Sequence, residues 1–203
     1  MSRYCSECGK SRKACICPWI ESLSSNVELV ILQHTSEQHR PMGTARILSL
    51  SLSSCRCWVG EDFSQHTALN ALLREPDVDH YLLYPAPNSV SIETLSSTQF
   101  TGRRQRVILL DGTWKKAYKM WQLATNLHSI PSIHLPEHLQ GEYRIRKAPN
   151  ENSLSTVEAG YHLLSLLEPQ RNFSPLLTPF RKMIDFQIAH MPDGVYQNNY
   201  LKQ

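Results

Sequence analysis

The stretch Val107-Ile108-Leu109-Leu110-Asp111-Gly112-Thr113 decides the reading of this chain. An apolar run passes straight into an acid, a glycine and a threonine. Such a run suits a strand buried on both faces, as in a parallel sheet. The glycine permits a tight turn, and the threonine can cap a following helix. Residues 113–127 then place Trp114, Ala117, Tyr118, Trp121 and Ala124 on one helical face, with Lys115, Lys116 and Lys119 elsewhere around it. In an open α/β sheet, ligands bind beyond the carboxyl ends of the strands and near helix N-termini. Asp111 is therefore a candidate to hold a ligand or accept a proton. Asp-Gly-Thr could equally form a turn and a cap and nothing more.

Working outward, the pattern predicts further strands over 27–33, 56–59, 80–84 and 129–135. It predicts helices over 42–53, 65–75, 154–167 and 178–190, the last with Thr178 as N-cap and Pro179 at its first position. Alternating strands and helices predict an α/β fold, a mostly parallel sheet with helices on both faces. A Ser-rich stretch near residue 25 divides a Cys-rich knuckle, 1–25, from a catalytic domain, 26–203.

The 203 residues suffice for one such domain with a small appendage, and 41% hydrophobic content is ordinary for a soluble chain. No apolar run approaches the roughly 18–20 residues of a membrane span. The first residues lack the apolar core of a signal peptide. The expected location is cytoplasmic, with no membrane partner. In that compartment the six cysteines argue for metal ligands or free thiols rather than disulfides.

Cys5-x-x-Cys8 and Cys15-x-Cys17 bring four thiols into thirteen residues. Four thiolates suit tetrahedral zinc, and ligation by four cysteines also leaves an iron–sulfur cluster open. Lys10, Arg12 and Lys13 would offset the charge of the site and could touch phosphate. Cys55 and Cys57 read as ordinary buried thiols.

Net charge is only +3, so local clusters carry more information. Arg103, Arg104 and Arg106 precede the Asp111 strand, and Lys115, Lys116 and Lys119 follow it. Tyr143-Arg144-Ile145-Arg146-Lys147 alternates cations with an aromatic, which suits either a phosphate-contacting edge or a solvated strand. Three basic clusters flanking one crevice favour an RNA surface. Ser155-Thr156-Val157-Glu158 matches a capping box, and its alternative reading is a pocket wall.

These pieces, in this order, resemble the DTW-domain family of tRNA-uridine aminocarboxypropyltransferases. The resemblance rests on the four N-terminal cysteines, His34 and Glu37, Asp111-Gly112-Thr113-Trp114, Arg144 to Pro149, and Ser155 to Ala159. The chain departs from the family at Thr35, where proline is frequent, and at Met42–Arg46, where Asn-Thr-Gly-Arg is frequent. The resemblance implies transfer of the 3-amino-3-carboxypropyl group of S-adenosylmethionine to N3 of a tRNA uridine, releasing methylthioadenosine. It also implies a SPOUT-like fold with a knotted C-terminal part.

On that footing Asp111 is the expected general base or cofactor anchor, with Trp114 as the apolar neighbour that desolvates it. Tyr84, Pro85, Gly112, Thr113, Leu135, Ser155 and Thr156 are expected to line the cofactor pocket, and Glu158 to contact the cofactor as well as cap. Arg146 is assigned to the cofactor carboxylate or to phosphate. Arg103, Arg104, Lys115, Lys116, Arg144 and Lys147 are assigned to RNA. Two rivals are an S-adenosylmethionine-dependent RNA methyltransferase and a non-catalytic zinc-bearing RNA-binding module.

Overall fold

The computed structural model describes residues 2–98, 103–145 and 154–200. Its strands are β1 (Val27–His34), β2 (Cys55–Gly60), β3 (Val78–Leu83), β4 (Val90–Ser91), β5 (Arg104–Asp111) and β6 (Ser132–His134). They form one sheet in the order β2-β1-β5-β3-β6-β4, with every pairing parallel. Parallel neighbours need crossovers, and helices supply them. α1 (Ala45–Ser51) joins β1 to β2, α2 (Thr67–Leu73) joins β2 to β3, α3 (Ile92–Thr98) lies between β4 and β5, and α4 (Trp114–Leu123) leads from β5 towards β6. α5 (Thr156–Leu167), α6 (Leu177–Ala189) and α7 (Val195–Tyr200) follow the last strand.

The central strands β1 and β5 are apolar on both faces because both faces are covered. Leu29, Ile31, Val107 and Leu109 join one core cluster with residues of α1, α5 and α6. Val30, Leu32 and Ile108 alternate into a second cluster with Leu69 and Leu72 of α2 and Met120 of α4. On the first face the helices meet very closely. A Cβ added to Gly160 of α5 would lie 2.8 Å from both methyl groups of the fully buried Leu48 of α1. Among the described residues, no helix is long and apolar enough to cross a membrane.

The amino end of the sheet is closed by charge. Arg106 is 1% exposed, and its guanidinium donates to Glu28 at 2.7 and 2.8 Å, to Glu75 at 3.0 Å and to the Leu72 carbonyl at 2.8 Å. Arg104 faces Glu75 at 3.4 Å and Arg103 faces Asp79 at 3.4 Å. Arg104 begins β5 and Asp111 ends it, so the two are about 23 Å apart along the strand. The cluster Arg103, Arg104 and Arg106 thus does not flank the Asp111 crevice. It sits at the opposite end of the strand, and Arg106 is consumed internally.

Helix bounds differ from expectation: α1, α2 and α5 begin at Ala45, Thr67 and Thr156 rather than at 42, 65 and 154. α6 begins at Leu177, ahead of Thr178, and it continues directly from a 3-10 turn over Ser174–Leu176. Proline is tolerated throughout the first turn, where its missing N–H has no partner to lose, so Pro179 does not mark the first position. Thr113 does occupy the N-cap of α4 in extended conformation, but its side chain makes no capping bond. The helix predicted to reach residue 127 stops at Leu123, and a 3-10 turn, Thr125–Leu127, completes the segment. The predicted face packs only in part, with Trp121 against the second core cluster. Ala117, Met120 and Ala124 pack down, while Trp114 and Tyr118 remain 50% and 54% exposed.

Removing one partner of a buried ion pair strands the other. Glu28→Ala should therefore lower stability by about 3 kcal/mol, read as a shifted urea midpoint with an unchanged slope. Arg106→Met, which removes the buried charge itself, should cost less.

Candidate active site

At the carboxyl ends of β3, β5 and β6 the sheet opens into a cavity of about 970 Å³. That is within the range of small-molecule sites, roughly 300–1,000 Å³. Leu83, Leu109, Ile133 and Leu135 supply apolar wall; Asp111, Gly112, Thr113 and Trp114 form one lip, and Ser155 and Thr156 another. Segments 37–44 and 133–145 contribute the remaining sides.

Asp111 is buried at the end of β5, directly opposite Gln33 in the β1–β5 register. The Gln33 side-chain amide donates to its Oδ2 at 2.8 Å, and the Thr156 hydroxyl donates to its Oδ1. A carboxylate has about four lone-pair positions spread over two oxygens, so a donor on each oxygen fixes its orientation. This burial comes with polar donors. Trp114, half in solvent, is not the closed apolar cover over Asp111 that the sequence suggests.

The start of α5 is pinned independently. Ser155 and Glu158 form a full capping box, with the Ser155 N–H donating to Glu158 Oε2 at 2.8 Å. Glu158 Oε1 accepts from the Glu142 N–H. The Glu142 side chain receives two bonds from Arg181 of α6, at 2.7 and 2.8 Å. The neighbouring Tyr143 hydroxyl donates to the Met42 carbonyl at 3.1 Å, tying the two loops of the cavity together. Across the site, Lys116 bonds Glu37 at 2.9 Å, and His34 Nε2 lies 3.1 Å from Glu61.

Behind the 41–43 loop stands the cysteine knuckle. The sulfur atoms of Cys5, Cys8, Cys15 and Cys17 all lie within 4.8 Å of one another, and the Cys5–Cys17 and Cys8–Cys15 pairs are each 3.7 Å apart. Tetrahedral thiolates at about 2.3 Å from an ion would be ~3.8 Å apart, so the four residues could hold a metal. N–H donors of Cys8 and Glu7 bring the Cys5 thiol down to about 6, whereas burial raises Cys15 and Cys17. Lys10 is buried, with Nζ donating to the Pro41 carbonyl at 2.5 Å, so it welds knuckle to cavity loop and is not exposed to a phosphate. Arg46 of α1 donates to the Glu7 carbonyl at 2.8 Å. Cys8 and Ile16 lie in the same core cluster as the sheet.

A profile of the DTW domain matches residues 2–188. The chain belongs to the DTW-domain family. It is 28% identical over 193 residues to "tRNA-uridine aminocarboxypropyltransferase 2" of Mus musculus, covering 92% of this chain and 64% of the mouse protein. It is 31% identical over 196 residues to the Drosophila melanogaster protein of the same name, covering 91% and 74%. To "tRNA-uridine aminocarboxypropyltransferase A" of Arabidopsis thaliana it is 23% identical over 217 residues, covering 93% and 82%. The chain thus spans less than two thirds of the mouse relative's length. No solved structure matches it.

In this DTW domain, Tyr84, Pro85, Asp111, Gly112, Thr113, Trp114, Leu135, Ser155 and Thr156 all line the one cavity. Glu158 is not in the lining; its carboxylate is spent on backbone N–H groups. Arg144 turns to Asp185 of α6. Lys115 is exposed on α4, and Lys116 is engaged by Glu37. Arg146 and Lys147 lie outside the described residues. Burial pushes Cys55 up to about 12 and Cys57 up to about 11, which favours the protonated thiol in both. Sequence reasoning passed over Gln33, Thr44 and Glu142, and took Tyr143 only as part of a phosphate-contacting edge. Of these, only Gln33 left a signal: a polar residue closing an otherwise apolar strand beside the strand of Asp111.

The protein should carry about one tetrahedral divalent ion per chain by elemental analysis, and Cys15→Ser should release it and lower the melting temperature. A second expectation concerns acid. Arg181 holds the Glu142 carboxyl below its usual range. Its contribution is then full above the unfolded value near ~4.3 and is lost as pH falls through the folded value. The difference in melting temperature between wild type and Glu142→Gln should be present at neutral pH and vanish in acid.

Proposed function

We propose that this DTW domain transfers the 3-amino-3-carboxypropyl group of S-adenosylmethionine to N3 of a uridine in tRNA, with methylthioadenosine as the by-product. The observation that carries the reading is a carboxylate held by two donors, Asp111, at the lip of a large cavity beyond the carboxyl end of β5. The names of the relatives add the substrate class and the group transferred.

When bound, S-adenosylmethionine supplies an activated carbon with its own leaving group. The chain's task is alignment and proton removal. The apolar wall of Leu83, Leu109, Ile133 and Leu135 suits an adenine ring. The first turn of α4 lacks a side-chain cap, so its N–H groups suit the donor's carboxylate. Asp111 takes the uridine N3 proton as the N3–carbon bond forms and the carbon–sulfur bond breaks, its electron pair passing to sulfur. Gln33 and Thr156 orient Asp111 for that step. Arg146 suits the donor carboxylate or a phosphate, and Lys115, Lys116, Arg144 and Lys147 suit the tRNA backbone, with Arg103 and Arg104 reaching more distant phosphates. Zinc in the knuckle is structural and braces the 41–43 loop through Lys10. The SPOUT-like knot and a cytoplasmic location belong to the same reading.

Asp111→Asn should bind S-adenosylmethionine with wild-type affinity by calorimetry yet lose at least about 10²-fold in transfer to unmodified tRNA. Loss of binding instead would make Asp111 an anchor rather than a base. Mass spectrometry of the by-product separates the alternatives: S-adenosylhomocysteine would mean methyl transfer, and tRNA binding without any by-product would mean a non-catalytic module.

A further inference from the structure

The exposed edge of α4 is unlike the rest of the surface. Trp114 and Tyr118 lie four residues apart, hence on one face, and are 50% and 54% exposed. Neither is needed to seat the helix, which packs through Ala117 and Met120. Leaving two large rings in water forgoes burial that aromatic side chains normally obtain. Tyr118 is nonetheless backed by other rings. Tyr118 meets Trp121 at 6.1 Å, and Trp121 stacks on Tyr84 at 5.4 Å with 24° between the rings. Both Trp121 and Tyr84 pack against the second core cluster.

The position and charge of this edge name its occupant. Trp114 lines the cavity, so the aromatic edge runs outward from the mouth of the site. Lys115 is exposed beside it, without an ion pair among the described residues, and Lys119 is 59% exposed and paired with an exposed carboxylate, Glu61. A protein-docking face would share the aromatic rings but is depleted in lysine at its core. Aromatic faces interleaved with cations match single-stranded nucleic acid, whose bases stack while its phosphates pair. Duplex RNA hides its base faces and offers only backbone.

We propose that Trp114 and Tyr118 form a stacking platform for unpaired bases of an RNA loop, delivering the target nucleotide to the cavity mouth. The proposal rests on the reading of this chain as an RNA-modifying enzyme, and it adds the residues that select an unpaired loop over a helix. Trp114 and Tyr118 act on this view as positioning residues.

The test compares binding of a labelled RNA hairpin with a uridine-bearing loop against a blunt RNA duplex of equal length, by fluorescence anisotropy without any donor. Trp114→Ala and Tyr118→Ala should each weaken hairpin binding roughly ten- to a hundred-fold. The salt slope should not change, because no phosphate contact is lost. Duplex binding should be unaltered, and Trp114→Phe should restore most of the hairpin affinity. Tyr118→Ala should still bind S-adenosylmethionine and keep the wild-type melting temperature, since its ring is exposed. Hairpin binding equal to wild type in Tyr118→Ala, an equal loss on hairpin and duplex, or a wild-type chain that binds neither RNA would overturn the platform. A wild-type chain that binds the hairpin in this ring-dependent way but yields no methylthioadenosine would overturn the activity and leave the platform standing.

Discussion

One buried carboxylate holds the arrangement together. Asp111 cannot sit at the end of an apolar strand without partners, because an unpaired charge in that position costs more than the fold can spare. Its partners come from β1 and from the first residue of α5, which are far apart in the chain. The pair Gln33–Asp111 requires the β1–β5 register that is observed, since a one-residue slip would turn Gln33 to the other face. Thr156 requires that α5 begin where it does. Strand pairing, helix placement and the lip of the cavity are therefore one constraint.

Around that node the walls are cross-tied by polar contacts of the same kind. Glu158 caps its own helix and also holds the 136–145 loop through Glu142. Tyr143 joins that loop to Met42, and Lys10 joins the Met42 segment to the cysteine knuckle. Lys116 and Glu37 tie α4 to the same segment. A cysteine segment that could hold a metal and has no core of its own thus gains one, through Ile16 and Cys8, and in return braces one side of the site. At the other end of the sheet Arg106 performs the corresponding closure with Glu28 and Glu75.

Much of this was legible in the residues. Uninterrupted apolar runs such as 107–110 announce strands covered on both faces, and Ser155 with Glu158 announces a helix start, because both signals are local. The helix start at Leu177 and the break at Ala124 were not legible, since 3-10 turns and tolerated prolines leave no distinct pattern. Periodicity placed Trp114 and Tyr118 on one face correctly, but it cannot say whether that face meets a core or water. Charge runs misled for a related reason. Arg106 looks like part of a ligand surface beside Arg103 and Arg104 in sequence, yet its acidic partners, Glu28 and Glu75, come from other elements and bury it. The cavity residues Asp111, Thr156 and Tyr84 were found through motif and strand-end logic, whereas Thr44, Glu142 and the cavity-facing role of Tyr143 come from loops whose position only the assembled structure defines.

The contact at Gly160 has a mechanical meaning. The methyl groups of Leu48 fill the space a side chain at Gly160 would need, so α1 and α5 approach closely, and the Val157 N–H, donating to the Thr44 hydroxyl at 3.4 Å, carries that contact to the edge of the cavity. This side of the chamber is its close-packed wall, and the segments 37–44 and 133–145 face it across the cavity.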